Sequence, residues 1–206
     1  MSVNNKNKTF GVMVYDAMVR NNPVLVMGTA IAPVIVVANT LNKAIFLAIT
    51  FSVISFFTLL LSSFIPKRII YTVRVIIYIS IGALVYVPTA IIISAFFPQI
   101  FESMGIYFPL LIVNSYIIFN SDVSFVSVQK GRMAIDLTFG IIGYDIAVII
   151  IGLIREIIST GELGGEVIAL PMLFKAFSQP FGGFILLGSL AALLRGLLLL
   201  IKKIST

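Results

Sequence analysis

The sequence predicts an all-α membrane protein: six transmembrane helices forming two inverted three-helix repeats, with the first and fourth helices broken. Three observations predict it. Of 206 residues, 60% are hydrophobic and only 11% charged, with a mean hydropathy of +1.15. A soluble domain of this size could not hide that much apolar surface, so most of its solvent must be lipid. Residues 21–33 are apolar enough to enter a bilayer, yet Pro23, Gly28 and Pro33 forbid one unbroken helix there. The pattern recurs at residues 107–115, an apolar run that opens on Pro109 and turns polar at Asn114 and Ser115. Interrupted apolar segments in corresponding halves of a chain point to an inverted repeat with a site near the midplane.

The elements follow in order, within one integral membrane domain over residues 1–206. Residues 1–9 are polar, without the apolar core of a signal peptide, and are expected to be a short cytoplasmic start. Residues 10–20 place apolar side chains at helical spacing with Asp16 and Arg20 set apart, the pattern of an interfacial amphipathic helix. The first repeat, 23–105, holds a broken span at 23–39, a continuous span at about 44–64 and a third at about 69–97, with Pro88 as a kink. The second repeat, 106–206, follows a loop at about 98–105. It holds a broken span at about 107–128, a span at about 134–158 and, after a loop containing Gly161, Gly164, Gly165 and Pro171, a last span at about 181–201. Gly140, Gly143 and Gly152 let neighbouring helices approach closely in lipid. Three spans per half is an odd number, so the halves point oppositely.

The charges fit this count. One side collects eleven cations: Lys6, Lys8, Arg20, Lys67, Arg68, Arg74, Lys130, Arg132, Arg195, Lys202 and Lys203. The other has three, Lys43, Arg155 and Lys175. Positive residues concentrate on the cytoplasmic side, so both termini of this multi-pass protein are expected there. The net charge of +6 thus follows topology and is no sign of nucleic-acid binding.

Cysteine, histidine and tryptophan are absent. Their absence removes disulfides, iron–sulfur thiolates, the commonest metal ligands and any Cys or His nucleophile. Nothing supplies a hydrolase or kinase set, and Gly161 to Gly165 lacks the strand–turn–helix setting of a dinucleotide site. Asp145 is the charge-capable group placed deep in a span. A carboxylate there costs about 2.5–3.5 kcal/mol on insertion scales, so it should face protein and be paired or protonated. It reads either as a proton or cation site at the repeat junction, with Asn114 and Ser115, or as a neutral acid bonded to the backbone of an interrupted helix. Thr29 shares the two readings open to Asn114 and Ser115: close backbone approach, or contact with a passing ion. Arg74 sits near a span end and can snorkel. Arg155 and Glu156 close the fifth span as an interface anchor or subunit contact.

Asn22-Pro23, the turn ending in Ala32-Pro33, the run from Pro109 to Asn114, Asp136 with Gly140, and Gly152 through Arg155-Glu156 together resemble the E-type subunit of the Rnf complex. They equally resemble the D-type subunit of the sodium-translocating NADH:quinone oxidoreductase, Nqr. The similarity runs over about 10–201. It implies the six-span inverted repeat, an oppositely oriented sister subunit, and a complex that couples electron transfer to Na⁺ or H⁺ movement. The chain would then be part of a redox-driven translocase and not a stand-alone enzyme.

The resemblance also implies a two-iron two-sulfur cluster shared with the sister subunit, and there this chain departs. The family's cysteine positions read Ala32 and Ser115, neither of which can replace a thiolate on iron. No cofactor is therefore expected on this chain alone; flavin and iron–sulfur centres are expected in partner subunits. Phe119, Asn120, Ser121 and Asp122 stand where the family has Gly-Arg-Ala-Glu, and Gly143-Tyr144-Asp145 where it has Gly-aromatic-Thr. Two other functions share the length and apolarity. One is an ion transporter or channel derived from the same fold. The other is a small vitamin-binding component of an energy-coupling transporter, for which Ala44 and Ala48 offer a faint docking motif.

Overall fold

In a computed structural model, residues 10–66, 68–127, 130–164, 166–167 and 174–204 are described. The fold is helical: α1 (Phe10–Tyr15) running on as a π-helical turn (Asp16–Arg20), α2 (Ile31–Val37), α3 (Leu41–Ser62), α4 (Tyr71–Phe96), α5 (Pro98–Met104), α6 (Ser115–Ser127), α7 (Lys130–Thr160) and α8 (Pro180–Ile204). The only sheet among the described residues is a hairpin of two-residue strands, β1 (Glu162–Leu163) and β2 (Glu166–Val167), paired antiparallel with Gly164 at positive φ in its turn.

Four helices among the described residues are long and apolar enough to cross a membrane: α3, α4, α7 over Ile135–Thr160, and α8 over Pro180–Leu200. The pair Pro98–Tyr107 and Pro109–Ser121, bent by 55°, makes a fifth if counted as one span. Residues 98–105, expected to be loop, are mostly α5. Pro98 occupies the first turn of that helix, where its missing N–H costs no hydrogen bond. Pro88 lies inside α4, which runs unbroken from Tyr71 to Phe96.

Burial sorts the long helices. Half of the α3 and α7 spans lies inside the protein, against 22% of α4 and 17% of α8, so α3 and α7 form the centre and α4 and α8 the flanks. The core joins Leu47, Phe51 and Ile54 of α3 to Tyr144, Val148 and Ile151 of α7, with Phe51 stacked on Tyr144 at 3.6 Å between ring centroids. All three glycines singled out in α7 sit at close approaches. A Cβ at Gly140 would strike the Tyr116 hydroxyl, at Gly143 the backbone of Met18, and at Gly152 the Cβ of Ala44. The packing is reciprocal between halves: α2 lies on α8, and α6 on α4.

Candidate functional site

The two broken segments are built alike. In the first, Asn22 Oδ1 accepts from the backbone N–H of Val24 and of Leu25, both at 3.0 Å. Its amide donates to the carbonyls of Met18 (3.0 Å) and Gly143 (2.8 Å). The chain then turns through left-handed conformations at Gly28 (φ 68°) and Ala30 (φ 55°) before α2 starts. Glycine meets no steric cost in that region. Thr29 closes the turn, its N–H and its hydroxyl both donating to the Pro23 carbonyl, at 2.7 and 2.8 Å. In the second segment a 3₁₀ turn over Pro109–Leu111 precedes Asn114. Asn114 Oδ1 accepts from the Tyr116 N–H at 3.0 Å, and its carbonyl accepts from Ile117 and Ile118. In both, an asparagine satisfies orphan amides where a helical stretch begins.

Ala32 and Ser115 are exposed on the surface of the chain. A methyl group and a hydroxyl do not fit an iron–sulfur cluster, whose irons take thiolates. Among the described residues no group of three or more His, Cys, Asp or Glu could hold a metal ion.

Asp145 is half-buried in the seam between α3 and α7, where Ser52 of α3 donates a hydrogen bond of 2.5 Å to its Oδ2. Its Oδ1 is buried and, among the described residues, accepts no hydrogen bond. The seam opens into a groove of about 320 Å³ lined by Ser52, Val53, Phe56, Thr138, Ile142 and Asp145, among others. The structure thus brings Asp145 to Ser52, while Thr29, Asn114 and Ser115 sit at the two breaks.

A second polar feature is one that sequence reasoning misses. Ser55, Thr58 and Ser62 lie on one face of α3, buried, and their hydroxyls have no hydrogen-bond partner among the described residues. The Asn114 amide nitrogen and the Ser121 hydroxyl on the α6 segment are in the same condition. α6 packs on α3 and α4, and Thr58 and Ile112 both border Gly82, which puts Thr58 near the second break. The spacing of Ser55, Thr58 and Ser62 on one helical face is the signal that could have found it.

Arg155 and Glu156 turn inward. Arg155 is fully buried and gives five hydrogen bonds to carbonyls: Ile35 (2.7 Å), Ala38 (2.9 Å), Phe177 (3.0 Å), Ser178 (3.2 Å) and Gln179 (3.2 Å). Those acceptors are the C-terminal end of α2, where the helix dipole favours a cation, and the 3₁₀ turn leading into α8. Gly183 leaves the room, since a Cβ there would sit 3.2 Å from the guanidinium. Glu156 Oε2 accepts from the N–H of Leu41 at the start of α3 (3.0 Å) and from Gly164 in the hairpin (3.2 Å). The expected interface anchor is an internal clamp on four segment ends.

The family model described as Rnf-Nqr subunit, membrane protein, matches residues 11–191. The E-type subunit of the ion-translocating oxidoreductase complex of Haemophilus ducreyi is 26% identical over 151 residues, 73% of this chain and 66% of the relative. The corresponding protein of Glaesserella parasuis is 27% identical over 143 residues, 69% of this chain and 62% of the relative. The D-type subunit of the Na(+)-translocating NADH-quinone reductase of Shewanella putrefaciens is 24% identical over 186 residues, 90% of this chain and 88% of the relative. The chain thus spans less than two thirds of the length of the E-type relatives and most of the D-type one.

Proposed function

Because the chain belongs to the Rnf-Nqr family of membrane subunits, we propose that it is an integral subunit of a redox-driven complex that moves Na⁺ or H⁺ across a prokaryotic inner membrane. Electrons pass through flavin and iron–sulfur centres of partner subunits, since Ala32 and Ser115 offer no thiolate. Its neighbour is a homologous, oppositely oriented sister subunit. Six spans with both termini cytoplasmic complete the reading. The first span is the segment that breaks at Gly28 to Ala30 and ends in α2, and the fourth is the segment that breaks before Asn114 and continues into α6. The reciprocal packing of α2 on α8 and α6 on α4 supports the inverted repeat. So does the gathering of Leu41, Arg155 and Phe177 at one end of the bundle, the end that holds Lys43 and Lys175 in the charge partition.

One observation carries the transport half of this reading: the buried polar atoms of Ser55, Thr58, Ser62, Asn114 and Ser121 that have no hydrogen-bond partner among the described residues. Each would cost roughly 1–3 kcal/mol left unsatisfied, and water or a partly hydrated cation offsets that cost. The row leads along α3 toward the second break and is the proposed ion path.

The test is affinity purification from native membranes in mild detergent, followed by coupled transport in vesicles. Flavin- or iron–sulfur-bearing subunits should co-purify in stoichiometric amount. The Thr58→Val, Ser62→Ala double variant should assemble normally yet lose coupled ion uptake. A chain that purifies alone, or with an ATPase module, overturns the subunit assignment. Full uptake by the double variant overturns the path.

A further inference from the structure

The groove beside Asp145 is a different place from that path, and its chemistry asks for something the described residues do not supply. Ser52 is the twelfth of the 22 residues of α3, and Asp145 the eleventh of the 26 in Ile135–Thr160. At 1.5 Å per residue Ser52 lies about 15 Å from either end of α3, and Asp145 about 15 Å from one end of its span and about 22 Å from the other, so both sit in the middle of the bilayer. The seam around them presents apolar side chains outward: Ile49, Phe56, Phe57 and Leu60 of α3, and Ile142 and Ile146 of α7 are all exposed. An apolar seam facing lipid is ordinary. One with a carboxylate at its floor, one oxygen bonded to Ser52 and the other bonded to nothing among the described residues, is not.

The depth narrows the occupant. Phospholipid headgroups cannot reach the midplane, and bulk water is absent there. A bare ion would leave most of about 320 Å³ empty. A helix laid along α3 and α7 fills a groove between two helices by ridge-into-groove packing, and one basic side chain on it would pair the free oxygen.

We propose that the α3/α7 seam is the seat of a transmembrane helix from a different subunit, which brings a lysine or arginine to Asp145. This rests on the reading of the chain as a subunit of a membrane complex. It explains how a midplane carboxylate is tolerated: intramembrane charges persist when paired.

The experiment places a benzoylphenylalanine photo-crosslinker at Phe57 in the full complex, in native membranes. Illumination should give an adduct with another subunit, and the cross-linked peptide should lie in a transmembrane segment with Lys or Arg within one helical turn. Asp145→Asn and Asp145→Ala should lower the adduct yield by roughly tenfold or more, the scale of losing a buried charge pair, and Asp145→Glu should largely restore it. A cross-linked segment without a basic residue overturns the proposal. So does an adduct only with lipid, with a lipid-soluble small molecule or with a second copy of this chain, or a yield indifferent to Asp145→Asn. Counting the other subunits in the same sample separates the failures. Partners present without an adduct sink the seat alone, whereas partners absent sink the subunit reading with it.

Discussion

Two ionisable side chains ten residues apart on α7, Arg155 toward the end of the helix and Asp145 at its middle, are treated in opposite ways. Arg155 is wholly buried and finds five carbonyl acceptors within its own chain. Asp145 is half-buried, has one hydroxyl donor and keeps an oxygen free of partners among the described residues. A charge saturated from within belongs to the architecture of the subunit. A charge left half-satisfied points outward, to whatever completes it. The distinction is one of completeness, and it can be tried by mutation.

The largest effect should come from Arg155→Leu, which strands carbonyls at the end of α2 and the start of α8. A loss on the order of 3–5 kcal/mol is expected, since a buried carbonyl left unsatisfied costs about 1–3 kcal/mol and several are stranded at once. It would appear as aggregation, or a large fall in unfolding midpoint, of the detergent-purified chain. Arg155→Lys should fall between, since an ammonium cannot reach acceptors spread as a guanidinium fork reaches them. Next comes Gly152→Val, which forces branched carbon against Ala44 and the Thr40 carbonyl. Overpacking of that kind costs about 1–3 kcal/mol, and Ala44→Gly in the same chain should recover part of it in the same melting assay. Glu156→Gln keeps an oxygen for Leu41 and Gly164 but loses charge at the start of α3. About 1 kcal/mol is expected, read as a modest midpoint shift that salt does little to change. The smallest effect is expected for Asp145→Asn in the isolated chain, within about 0.5 kcal/mol, because the amide oxygen still accepts from Ser52. Should Asp145→Asn unfold the isolated chain as badly as Arg155→Leu, the contrast between the two residues collapses.

The long helices are legible because apolar runs bounded by charges leave little choice in lipid, and Gly140, Gly143 and Gly152 announce their close contacts by lacking a side chain. The two breaks are legible as interrupted apolar runs, but the first falls at Gly28 to Ala30, while Pro33, expected to split the segment, sits in the first turn of α2, where its missing N–H costs nothing. What stays hidden is pairing at long range. Arg155 reads from sequence as a basic residue at a span end, and nothing local says that its acceptors come from residues 35 and 38 and from 177–179. Asp145 stands out in the sequence, yet its partner Ser52 is 93 positions away and one serine among several in α3. Pro98 reads as a loop former when it opens a helix, since proline at a first turn and proline in a loop look the same in sequence.

The Arg155 clamp also sets a schedule for biosynthesis. When α7 leaves the ribosome, two acceptors, the carbonyls of Ile35 and Ala38, already exist, while Phe177, Ser178 and Gln179 are still to be made. Until the last helix begins to emerge, the guanidinium must keep water or lipid phosphate as company near the membrane surface. Only then can it sink into place, drawing the end of α2 and the head of α8 together in one late step. A nascent chain halted before residue 177 therefore carries a complete α7 whose guanidinium still lacks three of its five acceptors.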